Sequence, residues 1–194
     1  MTLTNFDEYK KGKTFVFLIR HGDRNEKKRD TPKNPGPGLS KKGILEAKKI
    51  AKEIKLFSKK IDSFYCSDMI RTLQTAKEIT KRTHLKPKVF HDLSEFNKII
   101  WTRKLYHPQY WKHYINHKKS LKIFNKILDH NKGKIILIVT HGNVIKGIIG
   151  KKLGLTSKQI RKLDQANCHT TLVRFKGRKL DYLYYFNSPE FLGF

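Results

Sequence analysis

The sequence predicts an α/β protein, built as a three-layer α/β/α sandwich around a mainly parallel central sheet. Short apolar runs alternate with amphipathic helical segments along the chain, which is the pattern of βαβ units. Two of these runs, in FVFLIRHGDRN (Phe15 to Asn25) and IILIVTHGNVI (Ile135 to Ile145), are apolar throughout, as strands buried on both faces are. We expect a single domain over residues 1–194, with residues 1–12 as a loose N-terminal segment.

Six segments are predicted as strands, because each is short, largely apolar and partly β-branched. They are Thr14–Ile19, Asp62–Cys66, Lys88–Phe90, Lys134–Thr140, Thr170–Phe175 and Lys179–Phe186. Gly177 lies between the last two and supplies a hairpin turn.

Helical segments separate these strands. Ser40 is the expected N-cap of the first helix and Ser67 that of the second. Apolar residues recur at helical spacing in both helices and are expected to face inward: Ile44, Ala47, Ala51, Ile54, Ile70, Leu73 and Ala76. Further helices are predicted within Phe96–Asn131, where Pro108 interrupts the pattern, over Val144–Leu153 and from about Thr156.

The composition is strongly basic. Lysine and arginine number 43 against 16 acidic residues, which gives a formal net charge of +27. This charge favours anionic partners such as phosphorylated metabolites, nucleic acid or an acidic membrane surface. The 34 lysines are nevertheless scattered, as a general compositional bias would scatter them. No helix or strand collects them into one stripe, which disfavours a dedicated nucleic-acid reader.

The cysteine count and the hydropathy indicate a cytoplasmic protein. Cys66 and Cys168 are too few for a disulfide framework, and each is expected to be buried and inert at a strand end. The first residues, MTLTNFDEYKKGK, contain no apolar signal region, and the apolar runs are too short to span a bilayer. We therefore expect no membrane association.

Both fully apolar strands end in His-Gly. Ligands of open α/β sheets bind at the carboxyl ends of the strands, so His21 and His141 are expected to face each other there. Arg20 adds a bidentate anion donor beside His21. Arg71 follows another strand and begins a helix, which places it at the same edge. Two histidines and two arginines at one edge predict a phosphate site.

Six short segments stand in a characteristic order along the chain. They are RHG (20–22), LSKKG (39–43), CSDMIRTLQTA (66–76), Glu95 after Asp92-Leu93, THGNVI (140–145) and NCHTTL (167–172). In this order and spacing the chain resembles the histidine phosphatase superfamily, in its phosphoglycerate mutase-like branch. The resemblance covers roughly residues 14–175.

This resemblance implies a mechanism. His21 would be the nucleophile that takes the phosphoryl group and forms a phosphohistidine. Arg20, Arg71 and His141 would hold the phosphate oxygens. Glu95 would protonate the leaving oxygen and then activate the water. The resemblance implies no metal and no cofactor.

The first motif departs from the family pattern. Asp23, Arg24 and Asn25 follow RHG, where relatives place a hydroxyl residue, so Arg24 is a candidate for a further phosphate ligand. After His141 the chain lacks the His-Asp pair of the acid phosphatase branch, which favours Glu95 as the proton donor. The stretch between Glu95 and the next strand is short compared with glycolytic mutases, which favours hydrolysis over intramolecular transfer.

The leading hypothesis is a metal-independent phosphatase that hydrolyses phosphate monoesters of small phosphorylated substrates. A phosphoglycerate mutase-type transferase and a protein phosphatase are alternatives. A module that binds phosphate or nucleic acid without turnover is the alternative outside the enzymes. Specificity is expected to come from Lys27–Leu39 and Phe96–His117, the stretches that resemble the family least.

Two further patterns are interpreted as structural. His113 and His117 have metal-ligand spacing on a helix, but no third ligand is near in sequence, so a solvated helix face is expected. A group of aromatic residues is expected to cover the core or form the pocket wall: Trp101, Tyr106, Tyr110, Trp111 and Tyr114.

Overall fold

The computed structural model describes residues 12–25, 36–96 and 109–192. The strands in these ranges are β1 Thr14–Arg20, β2 Ser63–Cys66, β3 Lys88–Val89, β4 Ile135–Thr140, β5 Thr170–Lys176 and β6 Lys179–Ser188. The helices are α1 Lys41–Phe57, α2 Ile70–Thr83, α3 Tyr110–His130, α4 Gly142–Lys152 and α5 Ser157–Lys162. Two short 3₁₀ helices span Ser58–Lys60 and His91–Leu93. All six predicted strands are confirmed to within two residues.

The strands form one sheet in the order β3-β2-β4-β1-β5-β6. The strands β3, β2, β4 and β1 are mutually parallel, whereas β5 pairs antiparallel with both of its neighbours. Only β5 therefore runs against the other strands of this sheet, which confirms the mainly parallel prediction. The register pairs Arg20 with Thr140, so β1 and β4 end side by side.

Helices cover both faces of the sheet. Phe15, Phe17 and Ile19 of β1 pack in a core with α1 and α2, while Val16 and Leu18 pack in a second core with α3, α4 and α5. This alternation follows from the two-residue period of a strand. The three-layer α/β/α architecture is confirmed.

The ends and inward faces of α1 and α2 differ partly from the prediction. Ser40 caps α1 as expected, because its Oγ accepts a hydrogen bond from the Gly43 amide. Ser67 does not cap α2, which begins after Met69.

In α1 the buried residues are Gly43, Ala47, Ile50, Ala51, Ile54 and Phe57, and in α2 they are Arg71, Thr72, Thr75, Ala76 and Ile79. The prediction that Ile44 and Leu73 face inward is wrong, since both are exposed. Close backbone packing turns Gly43 inward, and hydrogen bonds to the first His-Gly turn hold Arg71 and Thr75 inward.

Several predicted features lie outside the described residues. They include most of the N-terminal segment, residues 26–35 and 97–108, and with them Trp101, Tyr106 and Pro108. Among the helices that the structure describes, none combines the length and the apolarity needed to cross a membrane.

Candidate active site

The two His-Gly turns lie side by side at the carboxyl edge of the sheet. His21 follows β1 and His141 follows β4, and the backbone amide of His21 donates to the carbonyl of Thr140 at 3.0 Å. The two imidazole rings are 5.1 Å apart between centroids, and their planes are inclined at 62°. The predicted convergence of the two histidines is therefore observed.

The tautomer of His21 follows from its hydrogen bonds. Its Nδ1 lies 2.7 Å from the carbonyl oxygen of Gly22, and because a carbonyl only accepts, Nδ1 carries the proton. The Nε2 atom is left with a lone pair, toward which Arg71 Nε donates at 3.1 Å. The ring is buried and neutral, and it presents Nε2 to the space among His21, Glu95, His141 and Arg71, which is called the pocket below.

The charges of two guanidinium groups, those of Arg71 and Arg20, act on His21. Arg71, the second residue of α2, is only 1% exposed. Arg20 is anchored by a 2.7 Å hydrogen bond from Nη1 to the carbonyl of Gln165. Its buried Nε has no acceptor within hydrogen-bond distance among the described residues, which leaves this N–H available to an anion.

His141 uses its two nitrogens differently from His21. Its Nε2 lies 3.0 Å from the Oγ of Ser67, and its Nδ1 lies 3.9 Å from Oε2 of Glu95. The ring is completely buried. The side of His141 that faces Glu95 is therefore Nδ1.

Contacts from β4 and α4 hold the segment that carries Glu95. Thr140 Oγ1 donates to the carbonyl of Leu93 at 2.7 Å, and Asn143 Nδ2 donates to that of Phe96 at 2.8 Å. Both donors flank the second His-Gly turn. The Glu95 side chain is 26% exposed, and its Oε1 accepts from the Phe96 amide at 3.2 Å.

Burial and charge shift the pKa values of the three central groups. Burial, reinforced by the charge of Arg71, lowers the pKa of His21 to about 3, although the hydrogen bond to Gly22 opposes the shift. Burial and neighbouring positive charge hold the pKa of His141 well below its usual range. Burial raises the pKa of Glu95 to about 7, against the opposing charge of Arg71. At neutral pH both rings are uncharged and Glu95 is partly protonated.

Ligand atoms of His21, Glu95 and His141 all lie within 4.8 Å of one another. Three such donors could hold a metal ion in isolation. Here, however, the lone pair of His21 Nε2 already accepts from Arg71, and the charges of Arg20 and Arg71 act on all three groups. This cationic surrounding suits an anion better than a divalent cation.

Arg24 lies at the margin of the site. Its side chain is exposed, and its backbone pairs with Leu39 in an isolated antiparallel bridge. Its charge nevertheless helps to lower the pKa of His21, although less than burial, Arg71 and Arg20 do. The structure thus places Arg24 near the site without a contact to the buried rings.

The structure agrees only in part with the prediction that the cysteines, the aromatic residues and the histidine pair are structural. Cys66 and Cys168 are buried free thiols, and burial raises the pKa of the Cys66 thiol to about 12. Tyr110 is buried in the core, whereas Trp111 is exposed. The expected solvated face is wrong for His117, which is buried against the ring of Phe96 and the α4 residue Gly147.

Several residues that support the site were missed in the sequence. Ser67 contacts His141, although a serine before a helix was interpreted as a cap. Thr75 Oγ1 accepts from the Gly22 amide at 3.1 Å. Asn143 holds the segment of Glu95, and the carbonyl of Gln165 holds Arg20. Ser67, Thr75 and Asn143 lie within the segments that carry the family resemblance, which was the available signal.

The fold recurs in solved structures, among them two phosphatases. The phosphoserine phosphatase of Entamoeba histolytica, solved with 3-phosphoglyceric acid, is 23% identical with a TM-score of 0.70, and the match covers 92% of this chain and 99% of that one. YhfR of Bacillus stearothermophilus is 19% identical with a TM-score of 0.75, covering 90% and 97%. A mycobacterial glucosyl-3-phosphoglycerate phosphatase is 17% identical with a TM-score of 0.68, covering 91% and 99%.

At these identities the structural likeness establishes the fold alone. None of the curated proteins compared with the chain matches it in sequence. The model of the histidine phosphatase superfamily (branch 1), however, matches residues 16–188, which is most of the chain. The match includes both His-Gly turns, Arg71 and Glu95. The protein therefore belongs to the histidine phosphatase superfamily, branch 1.

Proposed function

We propose that this protein is a phosphatase that hydrolyses phosphate monoesters of small molecules through a phosphohistidine on His21. One observation carries the proposal. The proton of His21 is held on Nδ1 by the Gly22 carbonyl, so Nε2 faces the arginines as an unprotonated nucleophile. A neutral imidazole between cationic donors suits attack on a phosphoryl group, since phosphoryl transfer depends on positioning and charge neutralisation.

In the first step the substrate phosphate displaces the hydrogen bond between Arg71 and His21. Arg71 and Arg20 then donate to phosphate oxygens. The Nε2 lone pair forms a bond to phosphorus while the bond from phosphorus to the ester oxygen breaks. Glu95, protonated on its carboxyl, gives its proton to the leaving oxygen, so an alcohol departs. The raised pKa of Glu95, about 7, keeps this proton available near neutral pH.

In the second step water attacks the phosphorus of phosphohistidine. Glu95, now a carboxylate, takes one proton from the water as the new phosphorus–oxygen bond forms. The bond between phosphorus and Nε2 breaks, and its electron pair returns to the ring. Inorganic phosphate leaves, and Glu95 is again protonated, so the cycle closes with the proton inventory balanced.

The substrate class is inferred from related structures and from charge. The Entamoeba histolytica phosphoserine phosphatase has been solved with 3-phosphoglyceric acid and, as a mutant, with phosphoserine. Both ligands are small phosphorylated acids. A net charge of +27 favours anionic molecules generally. We therefore propose small phosphorylated metabolites as substrates rather than phosphorylated proteins or nucleic acid.

The test is hydrolysis of 4-nitrophenyl phosphate in excess chelator, with wild type compared with His21→Ala. His130→Ala is the matched control, because His130 is an exposed histidine at the end of α3. We expect chelator-resistant turnover in wild type and control, and none in His21→Ala. Wild type that is mixed with substrate and then quenched rapidly without acid should yield a phosphorylated protein that is stable in base.

Turnover that survives in His21→Ala would overturn the role of His21. Turnover that the chelator abolishes would overturn the metal-independent mechanism. A wild type that becomes phosphorylated but transfers the group within one substrate, without release of inorganic phosphate, would establish a mutase in place of a phosphatase.

A further inference from the structure

A line of hydrogen bonds runs from His141 to the protein surface. His141 Nε2 lies 3.0 Å from Ser67 Oγ, which lies 3.3 Å from Ser94 Oγ. Ser94 Oγ lies 2.5 Å from Asp68 Oδ1, and Asp68 Oδ2 lies 2.7 Å from Nδ1 of the exposed His91. The mechanism proposed above does not use Ser67, Ser94 or Asp68.

Asp68 at the outer end of this line is a carboxylate at neutral pH. Burial alone would raise its pKa, but hydrogen bonds from Ser94 and His91 outweigh burial and hold the pKa below its ordinary value. A carboxylate only accepts hydrogen bonds. The short contact therefore uses the hydroxyl proton of Ser94.

The directions of the two inner hydrogen bonds, between Ser94 and Ser67 and between Ser67 and His141, follow from this one. Because Ser94 donates to Asp68, it accepts from Ser67. The hydroxyl proton of Ser67 is then used, and its oxygen also accepts from the Met69 amide at 3.2 Å. Ser67 can only accept from His141, so the proton of His141 lies on Nε2.

The other nitrogen of His141 faces the pocket. Nδ1 is buried, and among the described residues it has no hydrogen-bond partner. The charged and titratable groups near it are His21, Arg20, Arg71 and Glu95, whose Oε2 lies 3.9 Å away. Burial and the positive charges of Arg71 and Arg20 disfavour a proton on His141 in the ligand-free protein, and a bound phosphate group would bring the negative charge that offsets them.

We infer that Asp68, acting through Ser94 and Ser67, fixes the proton of His141 on Nε2, so that Nδ1 accepts the proton of a phosphate group entering the pocket. The inference deepens the proposed function and rests on it for the identity of the ligand. A monoanionic phosphate group transfers its P–O–H proton to Nδ1. The O–H bond breaks, an N–H bond forms, and the resulting imidazolium donates this N–H to the dianionic phosphate.

Asp68, Ser94 and Ser67 are positioning residues in this scheme. A neutral His141 protonated on Nδ1 would offer the phosphate a donor without taking a proton. The tautomer therefore decides whether the pocket gains one proton with each phosphate bound. It also decides whether His141 carries a full positive charge when the phosphoryl group is transferred.

The experiment is a long-range ¹H–¹⁵N spectrum of the full protein labelled with ¹⁵N-histidine, recorded slightly below neutral pH, where inorganic phosphate is largely monoanionic and the lowered pKa values keep His21 and His141 neutral without ligand. The His141 signals are assigned by their loss in His141→Asn. In the ligand-free wild type we expect the proton on Nε2 of His141 and on Nδ1 of His21. Saturating inorganic phosphate should protonate both nitrogens of His141.

Ser94→Ala is the decisive variant. Without Ser94 the hydroxyl of Ser67 loses its acceptor and turns toward His141, which shifts the proton of His141 to Nδ1. Ser94→Thr keeps a hydroxyl and should restore the wild-type tautomer. Ser63→Ala is the matched control, because it removes a hydroxyl from β2 that hydrogen-bonds Asn131 instead of the site. It should leave the His141 signals unchanged.

The outcomes separate this inference from the proposed function. A wild-type His141 with its proton on Nδ1, or a Ser94→Ala protein that keeps the proton on Nε2, would overturn the inference whatever the turnover. A His141 that stays neutral with phosphate bound would overturn the proton transfer. The ligand-free spectrum requires no activity, so an inactive protein with the expected tautomers would overturn the proposed function and support the tautomer assignment.

Discussion

The two His-Gly turns have the same dipeptide at neighbouring strand ends, yet they present opposite nitrogens to the pocket. At the first turn the Gly22 carbonyl binds Nδ1, so His21 presents Nε2. At the second turn Ser67 binds Nε2, so His141 presents Nδ1. The difference shows that neighbouring hydrogen bonds, and not the dipeptide, assign each ring its chemical role.

The atoms that pack against the glycines of the two turns also differ. The first turn packs backbone against backbone: a Cβ on Gly22 would lie 2.5 Å from the carbonyl oxygen of Gly43 in α1. The second turn packs on a side chain, since a Cβ on Gly142 would lie 3.4 Å from Arg20 Cδ. In the proposed mechanism the first turn thus fixes the reacting atom rigidly, and the second turn holds the proton-handling groups, including the segment of Glu95.

The largest expected effect separates the two histidines by activity. His21→Asn removes the proposed nucleophile and should lower turnover about 10⁴-fold or more. His141→Asn removes one donor to the phosphate and should cost about 10²–10³-fold. Single-turnover hydrolysis of 4-nitrophenyl phosphate measures both. Equal losses of activity in the two variants would contradict the comparison. A His141→Asn protein that forms no phosphorylated intermediate would contradict it as well.

The second prediction concerns Glu95, which the second turn holds. Burial raises its pKa to about 7, so the carboxyl is protonated below this pH and charged above it. As a general acid it must be protonated, so kcat/KM for an alkyl phosphate should fall about tenfold per pH unit above about 7. Glu95→Gln should flatten this limb and lower kcat/KM about 10²-fold or more.

The leaving group provides the control for this prediction. The phenolate of 4-nitrophenyl phosphate departs without a proton, so kcat/KM for this ester should change little in Glu95→Gln. Equal losses for alkyl and nitrophenyl esters would show that Glu95 acts in binding and not as the acid.

Features that depend on local sequence were predictable, and features set by distant contacts were not. The cap at Ser40 and both buried strands follow from neighbouring residues alone. The position of Glu95 depends on Thr140 and Asn143, whose hydrogen bonds to its segment each span 47 residues. Such contacts leave no periodic signal in the sequence. The contact of Ser67 with His141 is unpredictable for a related reason, since a serine before a helix is typical of a cap.

The third prediction tests the packing of the two turns through their glycines. A Cβ on Gly43 would lie 2.0 Å from the Asp23 carbonyl oxygen, and backbone atoms on both sides prevent relief. Gly43→Ala and Gly22→Ala should each lower the free energy of unfolding by about 3 kcal/mol. A Cβ on Gly142 would lie 3.4 Å from the Arg20 side chain and 3.6 Å from the carbonyl oxygen of Gln165. Because these are ordinary van der Waals distances, Gly142→Ala should change the free energy of unfolding by less than about 0.5 kcal/mol.

Urea unfolding of the three variants measures this difference. A Gly43→Ala protein as stable as wild type would show that the backbone contact yields, and the contrast between a rigid first turn and an adaptable second turn would not hold. A large loss in Gly142→Ala would contradict the same contrast from the other side.

The smallest expected effect concerns His117, a third buried histidine, which packs behind the second turn against Gly147 of α4. Burial, with the charge of Lys151, lowers its pKa to about 4. The unfolded chain binds a proton below about 6.5, whereas the folded protein does not until about 4. His117 therefore lowers the free energy of unfolding as the pH falls through this window.

His117→Leu should remove part of this dependence, so its stability relative to wild type should improve as the pH falls from about 6.5 to about 4, by roughly 1–3 kcal/mol in total. Unfolding by urea at several pH values measures it, with the exposed His130→Leu as the control. An unchanged pH dependence would contradict the prediction. Turnover at neutral pH should survive, because the proposed mechanism gives His117 no role. The arginines and Glu95 beside His21 and His141 distinguish those two rings from His117.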